Sequence, residues 1–297
     1  MEIGFIGLGT MGMGMARNLL KKNGSLVAYT AKEDKRARLA EEGFTVARSY
    51  EDLADCGIIF LSLPDAAVVE EVTLSKGGLI HVLKERDTIV VDPSTISPDS
   101  ARMIASAFDE RVGAFLDAPV SGMKPRSDAG TLTVMAGGLK EAFDEAKPYL
   151  DMIGTKVLYM GASGCGQAAK MINNTAYDIN VAGIAELLPL ALRLGLEPEV
   201  IGEVLNTGTG GSYASEFFIP RILKNSFEDG YPIEKAFKDL VHAEETEEAE
   251  GVDLPMTNAA AAVFRKAMQE GFGGLNTGGL IRVKEEEMGV RFRSKEE

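Results

Sequence analysis

The chain has 297 residues, enough for two domains, since single domains usually run to about 100–200 residues. Hydrophobic residues make up 45% and charged residues 26%, as in soluble globular proteins, which excludes an extended disordered chain. Asp and Glu total 45 against 31 for Lys and Arg, and the resulting net charge of −14 argues against nucleic acid or an anionic membrane as partner.

Cysteine and histidine are scarce. The two cysteines, Cys56 and Cys165, form no disulfide framework, and they and the histidines His81 and His242 lack the spacing of zinc ligands. The sequence contains no apolar stretch of about 18 residues and begins without a signal-type leader. We therefore expect a cytoplasmic protein without a bound metal.

The first half alternates short apolar runs with amphipathic stretches. Because parallel strands need helical crossovers, this order predicts a doubly wound, mainly parallel sheet, an α/β Rossmann domain over residues 1–162. The expected strands are 3–6, 26–29, 58–61, 88–91, 114–116, 131–136 and 157–159, and the expected early helices are 11–20, 34–42 and 66–72.

The second half has helical periodicity and predicts an all-α domain over residues 163–297. A long interdomain helix is expected over 167–194, with a kink at Pro189 and a stop at Gly195. Four more helices are expected at 198–205, 214–223, 233–250 and 255–269. The long helix carries an apolar stripe wider than one helix usually hides, which indicates a homodimer or homotetramer. The stripe consists of Ile179, Ile184, Leu187, Leu188 and Leu192.

A glycine motif follows the first expected strand and opens the first helix. Gly7, Gly9 and Gly12 match the G-x-G-x-x-G pattern of dinucleotide-binding domains. Gly7 permits the tight turn, Gly9 lets the backbone approach a pyrophosphate, and Gly12 allows close packing of helix on strand. The helix N-terminus then attracts the phosphates. The predicted loop comprises Gly7, Leu8, Gly9, Thr10, Met11 and Gly12.

Cofactor choice depends on the end of the second strand. NAD-binding domains usually place an acidic residue there for the ribose hydroxyls, but this chain has Thr30 and Lys32 instead. Thr30 and Lys32, with Arg36, could hold a 2′-phosphate, so NADP is favoured over NAD. The alternative is that Lys32 and Arg36 belong to a solvated helix face.

Lys170 and Asn174 begin the long helix after a glycine-rich turn. Their spacing of four puts both side chains on one helix face. Apolar neighbours would desolvate the lysine and lower its pKa toward the range of a general acid and base. Asn174 could orient the lysine or bind the reacting oxygen.

Four segments in order resemble the β-hydroxyacid dehydrogenases, the family that includes 3-hydroxyisobutyrate dehydrogenase, tartronate semialdehyde reductase and the glyoxylate/succinic semialdehyde reductases. They are residues 4–12, 117–122, 164–174 and 237–240. The resemblance implies a Rossmann domain, a helical domain and a substrate cleft between them. It also implies reduction of a small carboxylate-bearing semialdehyde, or oxidation of the matching 3-hydroxy acid.

The resemblance assigns roles to particular residues. Lys170 aligns with the catalytic lysine and Asn174 with its polar helper, while Ser121 and Gly122 align with the loop that binds the substrate carboxylate. Lys238 aligns with a lysine that closes over cofactor and substrate. Cofactor-lining positions align with Leu63, Pro64 and Thr95.

Three positions depart from the family pattern. Met123 stands where many relatives have a second glycine, and this difference leaves the identity of the substrate undecided. Ala31, between Thr30 and Lys32, stands where NADP-dependent relatives often have arginine. Residues 271–276 lack the usual acidic residues, a change that bears on cleft closure or subunit contact.

Other functions are less consistent with these residues. A decarboxylating 6-phosphogluconate dehydrogenase has a Glu where this chain has Tyr177, a classical 2-hydroxyacid dehydrogenase needs a catalytic histidine, and imine reductases usually replace the catalytic lysine. A non-catalytic nucleotide-binding protein of the same fold remains the alternative from a different class.

Overall fold

The computed structural model describes residues 1–83 and 88–294. Two compact units divide the chain, Met1–Lys170 and Met171–Glu297. This division falls inside the long helix, between Lys170 and Met171. At the start of this helix, the N–H groups of Gly164 and Gln167 donate to the Asp117 carboxylate, which lies at a strand end of the first unit.

The first unit contains a nine-stranded sheet within the described residues. Its order is β3-β2-β1-β4-β5-β6-β8-β7, and β9 pairs with β8. The six strands from β3 to β6 run parallel, whereas β8 is antiparallel to β6 and β7. The predicted doubly wound, mainly parallel sheet is confirmed. The strands are Ile3–Ile6 (β1), Val27–Tyr29 (β2), Thr45–Ala47 (β3), Ile58–Leu61 (β4), Thr88–Asp92 (β5), Gly113–Asp117 (β6), Val120–Ser121 (β7), Leu132–Gly137 (β8) and Gly154–Gly161 (β9).

Helices cover both faces of this sheet. Side chains alternate along a strand, so Phe5 and Phe60 enter one core, while Ile59 and Val90 enter the core on the opposite face. The helices of the first unit are Gly12–Asn23 (α1), Glu33–Glu41 (α2), Ala66–Leu74 (α3), Leu79–Val82 (α4), Pro98–Arg111 (α5), Met123–Ala129 (α6) and Lys140–Ile153 (α7).

The described part of the second unit is helical, as predicted. Helix α8 continues through Pro189 and ends before Gly195, whose positive φ of 83° closes the C-terminus. Phe218 and Phe264 are among the fully buried side chains of this unit's own core. No described helix combines the length and apolarity needed to cross a membrane. The helices are Cys165–Arg193 (α8), Pro198–Thr207 (α9), Tyr213–Leu223 (α10), Ile233–Glu250 (α11), Pro255–Gln269 (α12) and Ile281–Met288 (α13).

Candidate functional site

The glycine loop lies between β1 and α1, at the carboxyl edge of the parallel strands. Gly7 has φ +96°, and a Cβ there would lie 2.2 Å from the Ser62 carbonyl oxygen. A Cβ on Gly12 would lie 2.0 Å from the Gly7 oxygen. Gly9 differs, because nothing lies within 4 Å of its Cβ position. Two glycines therefore permit the turn, while the third leaves its backbone open to a ligand.

The rest of the loop leads into the N-terminus of α1. Leu8 is buried and Thr10 is exposed. Met11 occupies the N-cap position without a side-chain cap, and its carbonyl accepts a hydrogen bond from Ser127 Oγ at 2.7 Å. An open backbone at Gly9 beside an uncapped helix N-terminus fits a pyrophosphate, since the helix dipole and N–H groups attract anions.

Two neighbouring loops are joined next to the glycine loop. The Leu63 N–H, after β4, donates to Ser94 Oγ, after β5, at 2.8 Å. Ser94 is buried, whereas Pro64 and Thr95 are exposed. Leu63 also lies against the Gly7 turn, because its Cδ2 is 3.1 Å from the Gly7 Cβ position. The structure thus brings together three segments that were predicted to line a cofactor.

The end of β2 carries a guanidinium. Arg36, in α2, reaches back so that its Nε and Nη2 each lie 3.4 Å from the Thr30 carbonyl oxygen. Thr30 Oγ1 accepts from the Lys32 N–H at 3.2 Å, and the Lys32 side chain is exposed. Arg36 therefore supplies a positive charge at this strand end, where relatives often have an arginine at the position of Ala31.

Ser121 ends the short strand β7, and Gly122 follows it as the N-cap residue of α6. Both are half-buried, and Gly122 has φ +141°. Its Cβ position lies 2.8 Å from Arg126 Cβ, and Arg126 Nε donates to the Thr131 carbonyl at 2.8 Å. Met123 has φ +56°, a left-handed conformation that favours glycine. Met123 therefore replaces glycine at a position whose left-handed backbone conformation favours glycine.

A carboxylate and an amide fix the start of α8. Asp117, at the end of β6, accepts from the N–H groups of Gly164 at 2.8 Å and Gln167 at 2.9 Å. The Gln167 side chain donates to the Ser94 carbonyl at 2.8 Å and accepts from the Ile96 N–H at 3.2 Å. Lys170, half-buried, follows Gln167 by three residues. The helix turn before the predicted catalytic lysine is thus bonded to the loop after β5.

Two buried acids lie side by side beneath this turn. Asp92 and Asp117 are paired residues at the ends of β5 and β6. Burial, with a smaller effect from Asp117, raises the pKa of Asp92 to about 7, although hydrogen bonds from Ser94 oppose the rise. Burial also raises the pKa of Asp117, against the bonds from Gly164 and Gln167. Near neutral pH the pair therefore carries less than two full negative charges.

In the second unit, Asp239 organises a buried polar cluster. Asn174 Nδ2 and the Tyr231 hydroxyl each donate to Asp239 Oδ2 at 2.9 Å. Burial and the Asp239 charge raise the pKa of Tyr231, so this phenol stays protonated as a donor. Lys238, the preceding residue of α11, is by contrast exposed. Asp239 thus belongs to a buried polar cluster.

Tyr177 and the 271–276 segment belong to the same unit. The Tyr177 hydroxyl lies 2.7 Å from Thr277 Oγ1, and buried Asn276 donates to the Asp229 carbonyl at 2.8 Å. His81 and His242 are both exposed. In residues 1–83 and 88–294, no cluster of three or more His, Cys, Asp or Glu side chains could hold a metal.

Sequence reasoning missed the residues that orient others. Asp117, Gln167 and Asp239 all lie inside the segments that carry the family resemblance, but no role was predicted for them. A polar residue flanked by apolar and small residues is the signal that could have singled out Asp117 and Gln167. Ser94 gave no such signal, because its partners come from three separate segments.

Family models match both halves of the chain. The NAD-binding domain of 6-phosphogluconate dehydrogenase matches residues 2–161, and the NAD-binding domain of NADP-dependent 3-hydroxyisobutyrate dehydrogenase matches residues 164–283.

Relatives match nearly end to end. 2-(Hydroxymethyl)glutarate dehydrogenase of Eubacterium barkeri is 36% identical over 291 residues, covering 97% of this chain and 96% of that protein. NAD-dependent L-serine dehydrogenase of Pseudomonas aeruginosa is 35% identical, covering 91% and 93%. The solved structure of Mycobacterium tuberculosis 3-hydroxyisobutyrate dehydrogenase with L-serine is 28% identical, with a TM-score of 0.86 over 95% of this chain and 98% of that chain. The glycine loop, the fold and these matches agree, and the chain belongs to the NAD(P)-dependent β-hydroxyacid dehydrogenase family.

Proposed function

We propose that this chain interconverts a small 3-hydroxy acid and its semialdehyde, with NADP(H) as the favoured cofactor and Lys170 as general acid and base. The observation that carries the proposal is the fixed start of α8, where Asp117 and Gln167 hold the turn that precedes Lys170. A general acid needs a defined position relative to the reacting oxygen, and a bonded helix turn supplies one.

The chemistry requires a proton donor near a developing alkoxide. The nicotinamide cofactor, when bound, supplies or accepts the hydride. In the reductive direction, the Lys170 ammonium stabilises the negative charge on the carbonyl oxygen and then protonates it. In the oxidative direction the neutral amine accepts the hydroxyl proton. Asn174, oriented by Asp239, donates a hydrogen bond to the same substrate.

The substrate carboxylate is assigned to Ser121 and Gly122. A hydroxyl group and free backbone N–H groups bind a carboxylate without needing a positively charged surface. The names of the relatives favour one substrate class. 2-(Hydroxymethyl)glutarate, L-serine and 3-hydroxyisobutyrate each have a CH2OH group attached to the carbon that bears a carboxylate. We therefore place methylmalonate semialdehyde and tartronate semialdehyde, which are both reduced to such alcohols, ahead of glyoxylate and succinic semialdehyde.

Cofactor contacts are assigned to the first unit and Lys238. The glycine loop binds the pyrophosphate, and Leu63 and Pro64 line the cofactor. Thr95 lies near the nicotinamide ribose, and Lys238 closes over the cofactor and the substrate. Residues 1–162 form the cofactor domain, and residues 163–297 serve substrate binding and oligomerisation. Both cysteines are free thiols, as is usual in a reducing compartment, and we place the enzyme in the cytoplasm.

A steady-state assay of Lys170→Ala tests the proposed function. Wild type should oxidise NADPH with methylmalonate semialdehyde, and Lys170→Ala should lower kcat by about 10²- to 10⁴-fold, the usual contribution of a general acid. NADPH binding, followed by fluorescence, should change little. Lys156→Ala is the matched control, because Lys156 is exposed on β9. A wild-type kcat in Lys170→Ala would refute the assignment of Lys170.

Arg36→Ala tests the preference for NADP(H). Loss of the guanidinium beside Thr30 should reduce the NADPH-to-NADH ratio of kcat/KM by about 5- to 150-fold, which corresponds to 1–3 kcal/mol for one lost charge contact. Thr30→Asp should shift preference in the same direction by repelling the 2′-phosphate. Arg38→Ala is the control, since Arg38 is exposed on the same helix and pairs with Glu42. Equal ratios in Arg36→Ala and wild type would show that the 2′-position is recognised elsewhere.

A further inference from the structure

A basic cavity lies in the second unit, where the end of α10 meets α13 and the segment after it. Its volume is about 720 Å³. Four of its seven lining residues are cationic, although the whole chain carries a net charge of −14. Because the chain as a whole is strongly negative, this local cluster of cationic side chains calls for an explanation of its own. The lining residues are Leu223, Lys224, Asn225, Arg282, Arg291, Arg293 and Ser294.

Two of the arginines are held in place by one aromatic ring. The guanidinium carbons of Arg282 and Arg293 lie 4.7 and 5.1 Å from the ring centroid of Phe227, which is buried. Arg293 Nε also donates to Asn225 Oδ1 at 3.0 Å. Stacking and hydrogen bonding restrict the rotamers of long side chains, so less entropy is lost when these groups bind a ligand.

The positive charge of the cavity is only partly neutralised. Glu285, buried beneath the C-terminal segment, accepts from Arg293 at 2.7 Å and lies 3.5 Å from Arg291. A single carboxylate thus faces two arginines, while Lys224 and Arg282 add further charge. In the part of the chain that the structure describes, no group accepts a hydrogen bond from the buried Nε of Arg282. A buried donor without an acceptor is costly.

We propose that this cavity binds a compact polyanion with two or more phosphate or carboxylate groups. Planar guanidinium groups bind such oxygens through paired hydrogen bonds, and several cations are needed to hold a multiply charged anion. The volume lies within the range of small-molecule sites, about 300–1,000 Å³. All lining residues belong to the second unit, whereas the glycine loop belongs to the first, and the proposal does not depend on the proposed reaction.

Pyrophosphate titration of the NADP⁺-saturated enzyme tests this site. NADP⁺ is kept saturating so that the probe cannot occupy the dinucleotide loop. Wild type should bind pyrophosphate saturably by calorimetry at constant ionic strength, and its melting temperature should rise with pyrophosphate concentration. Lys224→Gln combined with Arg291→Gln should weaken binding about tenfold or more, because both side chains contribute charge. Both are exposed, so the fold should tolerate the change.

The matched control is Lys76→Gln combined with Lys156→Gln, which removes the same charge from exposed positions in the first unit. It should bind pyrophosphate like wild type. The proposal is overturned if wild type shows no saturable binding, or if the two double variants weaken binding equally, since the second result would reflect net charge alone.

Discussion

Single residues of the glycine loop have opposite steric surroundings, and they should respond differently to the same substitution. Gly9→Ala adds a methyl group where nothing lies within 4 Å, so the free energy of unfolding should change by less than about 0.5 kcal/mol. The methyl group would instead occupy the space that a pyrophosphate needs, and KM for NADPH should rise at least about tenfold. Gly12→Ala should destabilise the fold by several kcal/mol, roughly the cost of forced overpacking, because its Cβ would meet the Gly7 oxygen.

Urea denaturation and steady-state kinetics on both variants separate the two effects. Gly24→Ala is unsuitable as a control because Gly24 has φ +87°, whereas Gly77 has a negative φ and open space. Gly77→Ala should change neither property. If Gly9→Ala binds NADPH as tightly as wild type, the open face of Gly9 is not where the cofactor lies.

The roles of single residues were predictable where they belong to a sequence motif. They were not predictable where they depend on partners that are distant in the sequence. The glycine pattern predicted a turn, an open backbone and a close contact, and the structure has a geometry of each kind. Met123 was recognised as a departure from glycine, but its φ of +56° could not be inferred from neighbouring residues. Asp239 has partners 65 and 8 positions away, and no local pattern encodes such a pair.

At the scale of elements, the start of α8 connects the loop after β5 to the lysine turn. Gln167 bonds Ser94 and Ile96, while Ser94 also accepts from the Leu63 N–H. A side chain that spans these two segments is a positioning residue, because it fixes where the following helix turn lies. Its loss should disturb catalysis more than cofactor affinity.

Gln167→Met tests this positioning role. Methionine has nearly the same volume but makes neither hydrogen bond, so kcat should fall about 10- to 100-fold while KM for NADPH changes little. Gln167→Glu retains the acceptor for the Ile96 N–H and should recover part of the rate. The pH profile of kcat should shift in Gln167→Met, since the surroundings of Lys170 would change. A lower melting temperature with an unchanged kcat and pH profile would leave Gln167 a purely structural role.

Elements with a strong pattern were predictable, and those without one were not. The strands at Ile3–Ile6 and Ile58–Leu61 coincide with the predicted ranges, since buried parallel strands are continuous apolar runs. Strand β3 has only three residues, too few for a pattern. Helix α6 contains Pro125, which usually indicates a loop, but it lies in the first turn, where its missing N–H breaks no helical bond.

At the scale of the whole molecule, local positive groups must counter a strongly negative surface. The net charge of −14 repels anionic ligands at long range, and the screening by salt at physiological strength limits this to about 8–10 Å. We therefore expect substrate and cofactor to be bound by short-range donors, namely helix N-termini, backbone N–H groups and single cations such as Arg36. The basic cavity likewise provides local positive charge, but from four cationic side chains instead of one.

The predicted apolar stripe on α8 divides into a core face and an exposed face. Ile184 and Leu188 are buried in the second unit's own core, whereas Leu187 is 55% exposed. Leu194, which was not part of the predicted stripe and follows the end of α8, is 71% exposed. The neighbouring helix α9 also exposes apolar side chains, including Val200 at 59%. Several exposed large apolar side chains on successive helices are typical of an interface. We therefore propose that a second copy of this chain covers them.

Sedimentation of Leu187→Glu combined with Leu194→Glu tests the proposed interface. Wild type should sediment as a dimer or tetramer, and two buried, unpaired carboxylates at the interface should shift the double variant to monomer, because such charges cost several kcal/mol to desolvate. Met103→Glu combined with Leu139→Glu is the matched control, since both residues are about half exposed in the first unit, at 48% and 50%. A monomeric wild type at micromolar concentration would contradict the interface, as would a Leu187/Leu194 variant with the mass of the wild-type oligomer.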